Sequence, residues 1–227
     1  MQKRVYSGHQ CSFLPWVGFW NKVYHADVFD VSIFNQFTSK TWQHYSFIAN
    51  ADKKAKWGLK IQKSFNHQSY NFSINQIKVE KNFSQRLLRE FEQAHYADKH
   101  FNDVFPLLIS WLESVEHLDS LWLINFVLLN LVKNFLCIET PFVISAPNTT
   151  DNATLNIIEN VKRNGANHYL SGPHGTDYLD EALFKENNID LTFQDSRYMY
   201  QKYPLSIPAT ISLFGIGRTL EIIKNGT

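Results

Sequence analysis

Residues 167–193, NHYLSGPHGTDYLDEALFKENNIDLTF, decide the fold class. NHYLS (167–171) has the length and apolar content of a short strand, SGPHGTD is a glycine-bearing loop, YLDEALFKENN (178–188) is amphipathic, and IDLTF (189–193) is strand-like again. A strand, a helix of about ten residues and a second strand make a βαβ unit, and strands joined through a helix run parallel. The pattern continues upstream. PFVIS (141–145) predicts a strand, and a polar loop leads to a helix with Leu155, Ile158 and Val161 on one face. Asn164–Gly165 stands where helices stop, because glycine adopts the left-handed turn that ends them.

The N-terminus repeats the unit. A strand is predicted at Arg4–Ser7. Trp16, Phe19, Trp20, Val23 and Tyr24 follow at steps of three, one, three and one, the apolar stripe of a helix. VFDVSIF (28–34) predicts the next strand. The middle is less regular. WGLKIQKSF (57–65) and YNFSINQIKVE (70–80) read as strands, with NADKKAK (50–56) and HQS (67–69) as turns. Ser84 is predicted to cap a helix carrying Leu87, Leu88 and Phe91, with further helices near 99–114 and 118–137, the last capped by Asp119. The expected architecture is α/β: a mainly parallel, Rossmann-like sheet flanked by helices, with a central helical insert at about 83–138 and a small antiparallel excursion. No linker rich in Pro, Gly or Ser divides the chain, so residues 1–227 are expected to form a single domain.

Composition narrows the function. Lys and Arg number 22 against 21 Asp and Glu, a net charge of +1. Such balance argues against a dedicated binder of nucleic acid or anionic membrane, whose affinity comes mainly from neutralising phosphates. The two cysteines, Cys11 and Cys137, lie in unrelated contexts without CxxC or Cys/His spacing, so neither structural zinc nor a disulfide framework is expected. The N-terminus has no apolar signal core. The most apolar stretch, 118–136, is interrupted by Asp119, Asn125, Asn130, Lys133 and Asn134, which a bilayer span would not carry. A cytoplasmic protein without a membrane span is the expectation.

Four polar clusters follow predicted strand ends: His9–Gln10, APNTTDN (146–152), SGPHGTDY (171–178) and QDSRYMY (194–200). Ligands of open α/β sheets bind outside the carboxyl ends of the strands, so these clusters are candidates for one pocket. His9 suits a general base, its unperturbed pKa lying near neutrality, although a histidine at a strand end is also ordinary hydrogen-bonded structure. Gln10 offers a donor and an acceptor. Trp16 can stack on a ring or serve the core. SGPHG can cradle an anion, or can be a tight turn that needs Gly172 and Gly175. Of Tyr169 and Tyr178, one can meet a ligand while the other packs. Helix capping explains Asp177 and Asp180, a surface ion pair explains Asp195 and Arg197, and a solvated loop explains Lys53, Lys54 and Lys56. Nothing marks Cys11 as a nucleophile. The phosphate-binding patterns GxGxxG and GxxxxGK[ST] are absent, as are GxSxG and HExxH.

GHQCSFLPWVGFWNKVYHADVF (8–29) resembles the N-terminal signature of the WbqC-like family through His9, Gln10, Leu14, Pro15, Trp16, Gly18, Lys22 and Asp27. The 164–193 stretch resembles that family's second motif through Tyr169, Ser171, Gly172, Tyr178 and Leu179. The resemblance implies a role in bacterial surface-polysaccharide (O-antigen) clusters. It implies a transferase that attaches an aminoacyl group, glycyl included, or an acyl group to an amino sugar or its nucleotide-linked precursor. His9 and Gln10 would then be catalytic. Trp16, Lys22, Asp27, Tyr169, Ser171, Gly172, His174, Gly175 and Tyr178 would bind substrate. No metal is implied and no cofactor identified. The partners would be a nucleotide sugar or amino sugar and an activated amino acid, with a tRNA-borne donor left open. Cys11 replaces the family's usual proline, and an expected aspartate near Ile33 is missing. An Asn–Arg pair after Trp42 is replaced around His44–Tyr45, and Gly215 stands where ISLFG should carry an aspartate. Two other classes stay open: a nucleotidyltransferase-like enzyme, for which the second histidine of an HxGH pattern is absent, and a nucleotide-sugar-binding accessory protein without catalysis.

Overall fold

Residues 2–50, 53–66 and 72–226 are described in this computed structural model. Five parallel strands form the main sheet in the order β5-β2-β1-β6-β7: Phe142–Val143, Val28–Ser32, Val5–Gln10, His168–Ser171 and Asp190–Phe193. Side chains alternate across a strand, and both faces are covered. On one face α1 (Val17–Tyr24) lies over His9 and Phe29, with Phe19 edge-on to both rings at 5.4 and 5.2 Å. On the other face Tyr6, Val28 and Tyr169 pack with Ile158 and Val161 of α6 (Ala153–Arg163) and Phe184 of α7 (Glu181–Glu186). Gly165 follows α6 in the left-handed conformation (φ 64°), as the sequence expects.

Every residue of α1 from Val17 to Val23 is buried. The helix is enclosed by the sheet, by the short α8 (Arg197–Lys202) and by α9 (Ile207–Asn225), and its polar groups find internal partners. Asn21 donates from Nδ2 to the Ile223 carbonyl at 2.7 Å and accepts at Oδ1 from Gln194 Nε2 at 2.6 Å. Pro15 receives the Ile207 N–H at 3.1 Å. α9 breaks at Gly215 (φ 77°, ψ 164°), where a Cβ would come within 3.0 Å of the His100 ring.

The antiparallel excursion is a hairpin of β3 (Tyr45–Asn50) and β4 (Lys53–Gly58). This corrects the sequence reading of the basic run: its described part, Lys53 to Lys56, is strand rather than turn. WGLKIQKSF is strand only to Gly58 and then turns into the short α2 (Lys63–Asn66). Of YNFSINQIKVE, the described part is a 3₁₀ turn at Ile74–Gln76 with single bridges Ile61–Val79 and Lys78–Ser120. Its apolar residues Ile74, Ile77 and Val79 are buried without the unbroken ladder their spacing suggested. HQS lies outside the described residues.

The insert holds α3 (Ser84–His95), α4 (Phe101–Val115) and α5 (Leu121–Phe135). Ser84 begins α3 but does not cap it; its hydroxyl donates to the Leu112 carbonyl at 2.9 Å and to Glu116. Ser120 rather than Asp119 occupies the cap position of α5, and Asp119 pairs with Lys78 at 3.0 Å. No helix among the described residues is long and apolar enough to cross a membrane.

Candidate functional site at the strand switch point

The strand order reverses between β1 and β6, and in such sheets the crevice opens where the two central strands diverge. The register shows the divergence. β1 pairs with β2 as far as Gln10↔Ser32, but with β6 only as far as Ser7↔Leu170. Gly8, His9 and Gln10 therefore extend beyond the last β6 pairing. The Cys11 N–H points to β2, so by alternation the Gly8 carbonyl faces the β6 side, beyond the last residue pair that β1 makes with β6. Lys22 of α1 fills that gap, its Nζ donating to the Gly8 carbonyl at 2.7 Å. A Cβ on Gly172, just past β6, would stand 3.7 Å from the same Nζ. The first turn and the glycine turn thus meet at one end of the sheet.

His9 has a solvent-exposed ring, and its Nδ1 lies 2.9 Å from the Gln10 carbonyl. A carbonyl only accepts, so in neutral imidazole Nδ1 carries the proton and Nε2 keeps its lone pair. Loss of hydration and the nearby Lys22 ammonium both push its pKa below the ordinary histidine value. Solvent reaches the ring, so the hydration loss is partial, but both influences act in one sense: the ring is neutral at pH 7.

The amide of Gln10 has an assigned direction. Gln43 is buried; its Oε1 accepts the Thr38 N–H at 2.9 Å, and its Nε2 donates to the Gln36 carbonyl at 3.2 Å. Those backbone partners fix which end of Gln43 is which, so the Gln10 atom 2.8 Å from Gln43 Nε2 is the oxygen. The NH2 of Gln10 is left to donate elsewhere. Asn125 of α5 holds the Gln43 carbonyl at 2.7 Å, carrying the support into the insert.

Lys22 is 4% exposed, and burial pushes its amine down to about 8. Trp16 is half-buried, with its indole folded over Gly18, where a Cβ would overlap the ring. The indole is edge-on to Trp42 at 5.7 Å and to Tyr200 at 5.5 Å. Cys11 is fully buried, which raises its thiol pKa, as suits an inert side chain.

The remaining expected residues divide. Ser171 is buried and Gly175 packs against its hydroxyl with no room for a side chain, so these two shape the turn. Tyr169 is buried and stacks on Phe184 at 5.7 Å, a core role. His174 is 93% exposed and pairs with Asp177 at 3.5 Å, while Tyr178 is 57% exposed; both face solvent on the outside of the loop. Asp27 is not in the crevice. It opens β2 at the amino end of the sheet, where its Oδ2 accepts the Val5 N–H at 2.7 Å. Asp180 caps α7, and Asp195 and Arg197 form an exposed pair.

Sequence reasoning passed over Gln43 and Asp30. Asp30 is a buried carboxylate in β2, held by the Ser32 hydroxyl at 2.7 Å and the Ser145 N–H at 2.9 Å. Gly8 leaves it space, since a Cβ there would approach Asp30 Cβ to 3.2 Å. The second strand therefore carries an aspartate, three residues before the Ile33 position; its signal was a lone acid within an apolar run. A shallow cavity of about 610 Å³ lined by Lys3, Arg4, Asp27, Lys162, Gly165 and Asn167 lies at the opposite, amino end of the sheet. It is walled by exposed cations and chain turns, and the base-competent histidine is at the other end. Among the described residues no group of three or more His, Cys, Asp or Glu side chains is placed to hold a metal.

The model of the WbqC-like protein family matches residues 10–207, a span that contains Gln10, Lys22, Gln43 and Gly172. The chain is similar to the uncharacterized protein Rv1507c of Mycobacterium tuberculosis, with 22% identity over 228 residues that cover 92% of each chain. No solved structure matches it.

Proposed function

The chain belongs to the WbqC-like protein family, and from that premise we propose that it is a cytoplasmic transferase of surface-polysaccharide (O-antigen) assembly. Its reaction is transfer of an aminoacyl group, glycyl included, or an acyl group onto the amine of an amino sugar or its nucleotide-linked precursor. One observation carries this reading: at the end of β1, His9 holds its proton on Nδ1 toward a carbonyl and keeps Nε2 open, and the next residue, Gln10, has its amide oxygen engaged by Gln43 and its NH2 left to donate. A neutral base and an oriented amide donor at the same strand end suit attack of an amine on an activated carboxyl. The amine nitrogen bonds to the carbonyl carbon, and the bond from that carbon to its leaving group breaks. The amine proton passes to His9 Nε2 and from there to the leaving group. Gln10 donates to the carbonyl oxygen as negative charge builds on it. Trp16 supplies an apolar wall, and Lys22 with the 171–175 turn contacts the rest of the substrate.

The test is direct. Purified protein offered amino-sugar nucleotides together with glycyl or acetyl thioesters should yield a product heavier by the transferred group, and His9→Ala should stop its formation. Undiminished product in that variant removes His9 from the mechanism. A second reading, nucleotide-sugar binding without turnover, gains from the depressed basicity of His9, which weakens it as a proton acceptor. Calorimetric binding with no product across the donor panel would select it.

A further inference from the structure

Lys22 is a cation held in the interior with no counter-charge beside it among the described residues. Its ammonium has three donors, and the described structure gives it one acceptor, the Gly8 carbonyl. No carboxylate among the described residues lies within 4.0 Å of its Nζ, and the centroid of the Phe29 ring is 6.0 Å away. Buried charges are normally paired, because an unpaired one sacrifices hydration with nothing in return. This one stands where the two central strands part, beside the exposed His9 ring and under Gly172, whose missing side chain leaves the approach open. Gly172 has an ordinary extended backbone (φ −71°), so the glycine is not required by conformation. What its absence of a side chain provides is space over the ammonium.

We propose that Lys22 clamps a phosphoryl group of a nucleotide-linked substrate, the ligand supplying the counter-charge that the protein withholds. A lysine is a point charge suited to phosphate oxygens, whereas a carboxylate is better met by the planar fork of an arginine. The inference rests on the reading of the crevice as the substrate site and names the chemistry its inner end takes. It concerns binding alone, so transfer can fail while the clamp stands, and the clamp can fail while transfer stands.

The experiment uses the full chain with uridine, cytidine and guanosine diphosphates, the matching nucleosides, and glycine as a carboxylate probe. By calorimetry, at least one diphosphate should bind about tenfold or more tightly than its nucleoside, and Lys22→Met should remove that advantage while leaving nucleoside binding unchanged. Gly172→Val, which adds bulk without backbone strain, should weaken the diphosphate likewise. In the unaltered protein at pH 8, acetylation of Lys22 by an N-hydroxysuccinimide ester, read by peptide mass spectrometry, should slow severalfold with the diphosphate and not with the nucleoside. The proposal is overturned if no diphosphate binds, if Lys22→Met binds it as well as the native chain, or if Lys22 is acetylated equally fast with and without it. Protection by glycine in place of the diphosphate would overturn the phosphoryl assignment.

Discussion

Gln43 Nε2 donates to Gln10 Oε1 at 2.8 Å, and that contact sets which end of the Gln10 amide is left to donate. The constraint can be inverted. In Gln43→Glu the new carboxylate still accepts the Thr38 N–H but has nothing to donate to Gln10. The Gln10 amide then turns over, gives its NH2 to the glutamate and presents oxygen to a developing oxyanion. Product formation should fall by about 100-fold, the usual cost of losing one oxyanion donor. Circular dichroism should show the fold retained. Turnover equal to the native protein would mean that Gln10 does not act as the donor.

His9 should titrate below the ordinary histidine value, with its neutral form protonated on Nδ1; 15N chemical shifts read both. The sign for stability follows. Below pH 6.5 the unfolded chain takes a proton that the folded chain resists, so stability contributed by this site falls as pH drops below 6.5. Lys22→Met should move the His9 midpoint upward by removing the neighbouring charge. A midpoint at or above 6.5 in the native protein would refute the environment described.

Lys22→Met should stabilise the free protein. The amine is held at about 8 in the fold against 10.5 in its ordinary state, so between those values the unfolded chain binds the extra proton and folding becomes more favourable as pH rises. At pH 7 the full penalty is present, and removing the charge should gain on the order of 3 kcal/mol, less about 1 kcal/mol for the lost bond to Gly8. Urea unfolding at pH 7 and again above pH 10 checks this, with the gain shrinking at the higher pH. A variant less stable than the native protein at pH 7 would contradict it.

Gly18→Ala should displace the Trp16 indole, because the added methyl would occupy the ring's position. Overpacking of this kind costs about 1–3 kcal/mol. Near-ultraviolet circular dichroism should change as the contacts of Trp16 with Trp42 and Tyr200 are disturbed. An unchanged spectrum with native stability would mean that the ring does not rest on Gly18.

The βαβ units were legible because helix and strand periods differ and because turns such as Asn164–Gly165 announce themselves. The 57–80 stretch was not, since buried apolar residues such as Ile61, Ile74 and Val79 alternate there while the backbone turns between them. The resemblance gave Lys22 and Asp27 the same standing, and only the register sends one to the crevice and the other to the far edge. Gln43 carried no local signal. Its meaning lies in a partner 33 positions away, a distance that pattern does not span. The sequence reading put the cap of α5 at Asp119; the structure pairs that side chain with Lys78 and leaves the cap position to Ser120.

The α1–α9 seam has a consequence for the order of synthesis. Asn21 closes its amide on Ile223, 202 positions later, and Pro15 receives the N–H of Ile207. Segments that emerge early from a ribosome commonly fold first. Here α1 has its cover in a segment made much later, with Asn21 and Ile223 lying 202 positions apart, so a nascent chain stalled before position 207 would hold Lys22 and its neighbours uncovered, open to protease and chaperone until translation passes that point.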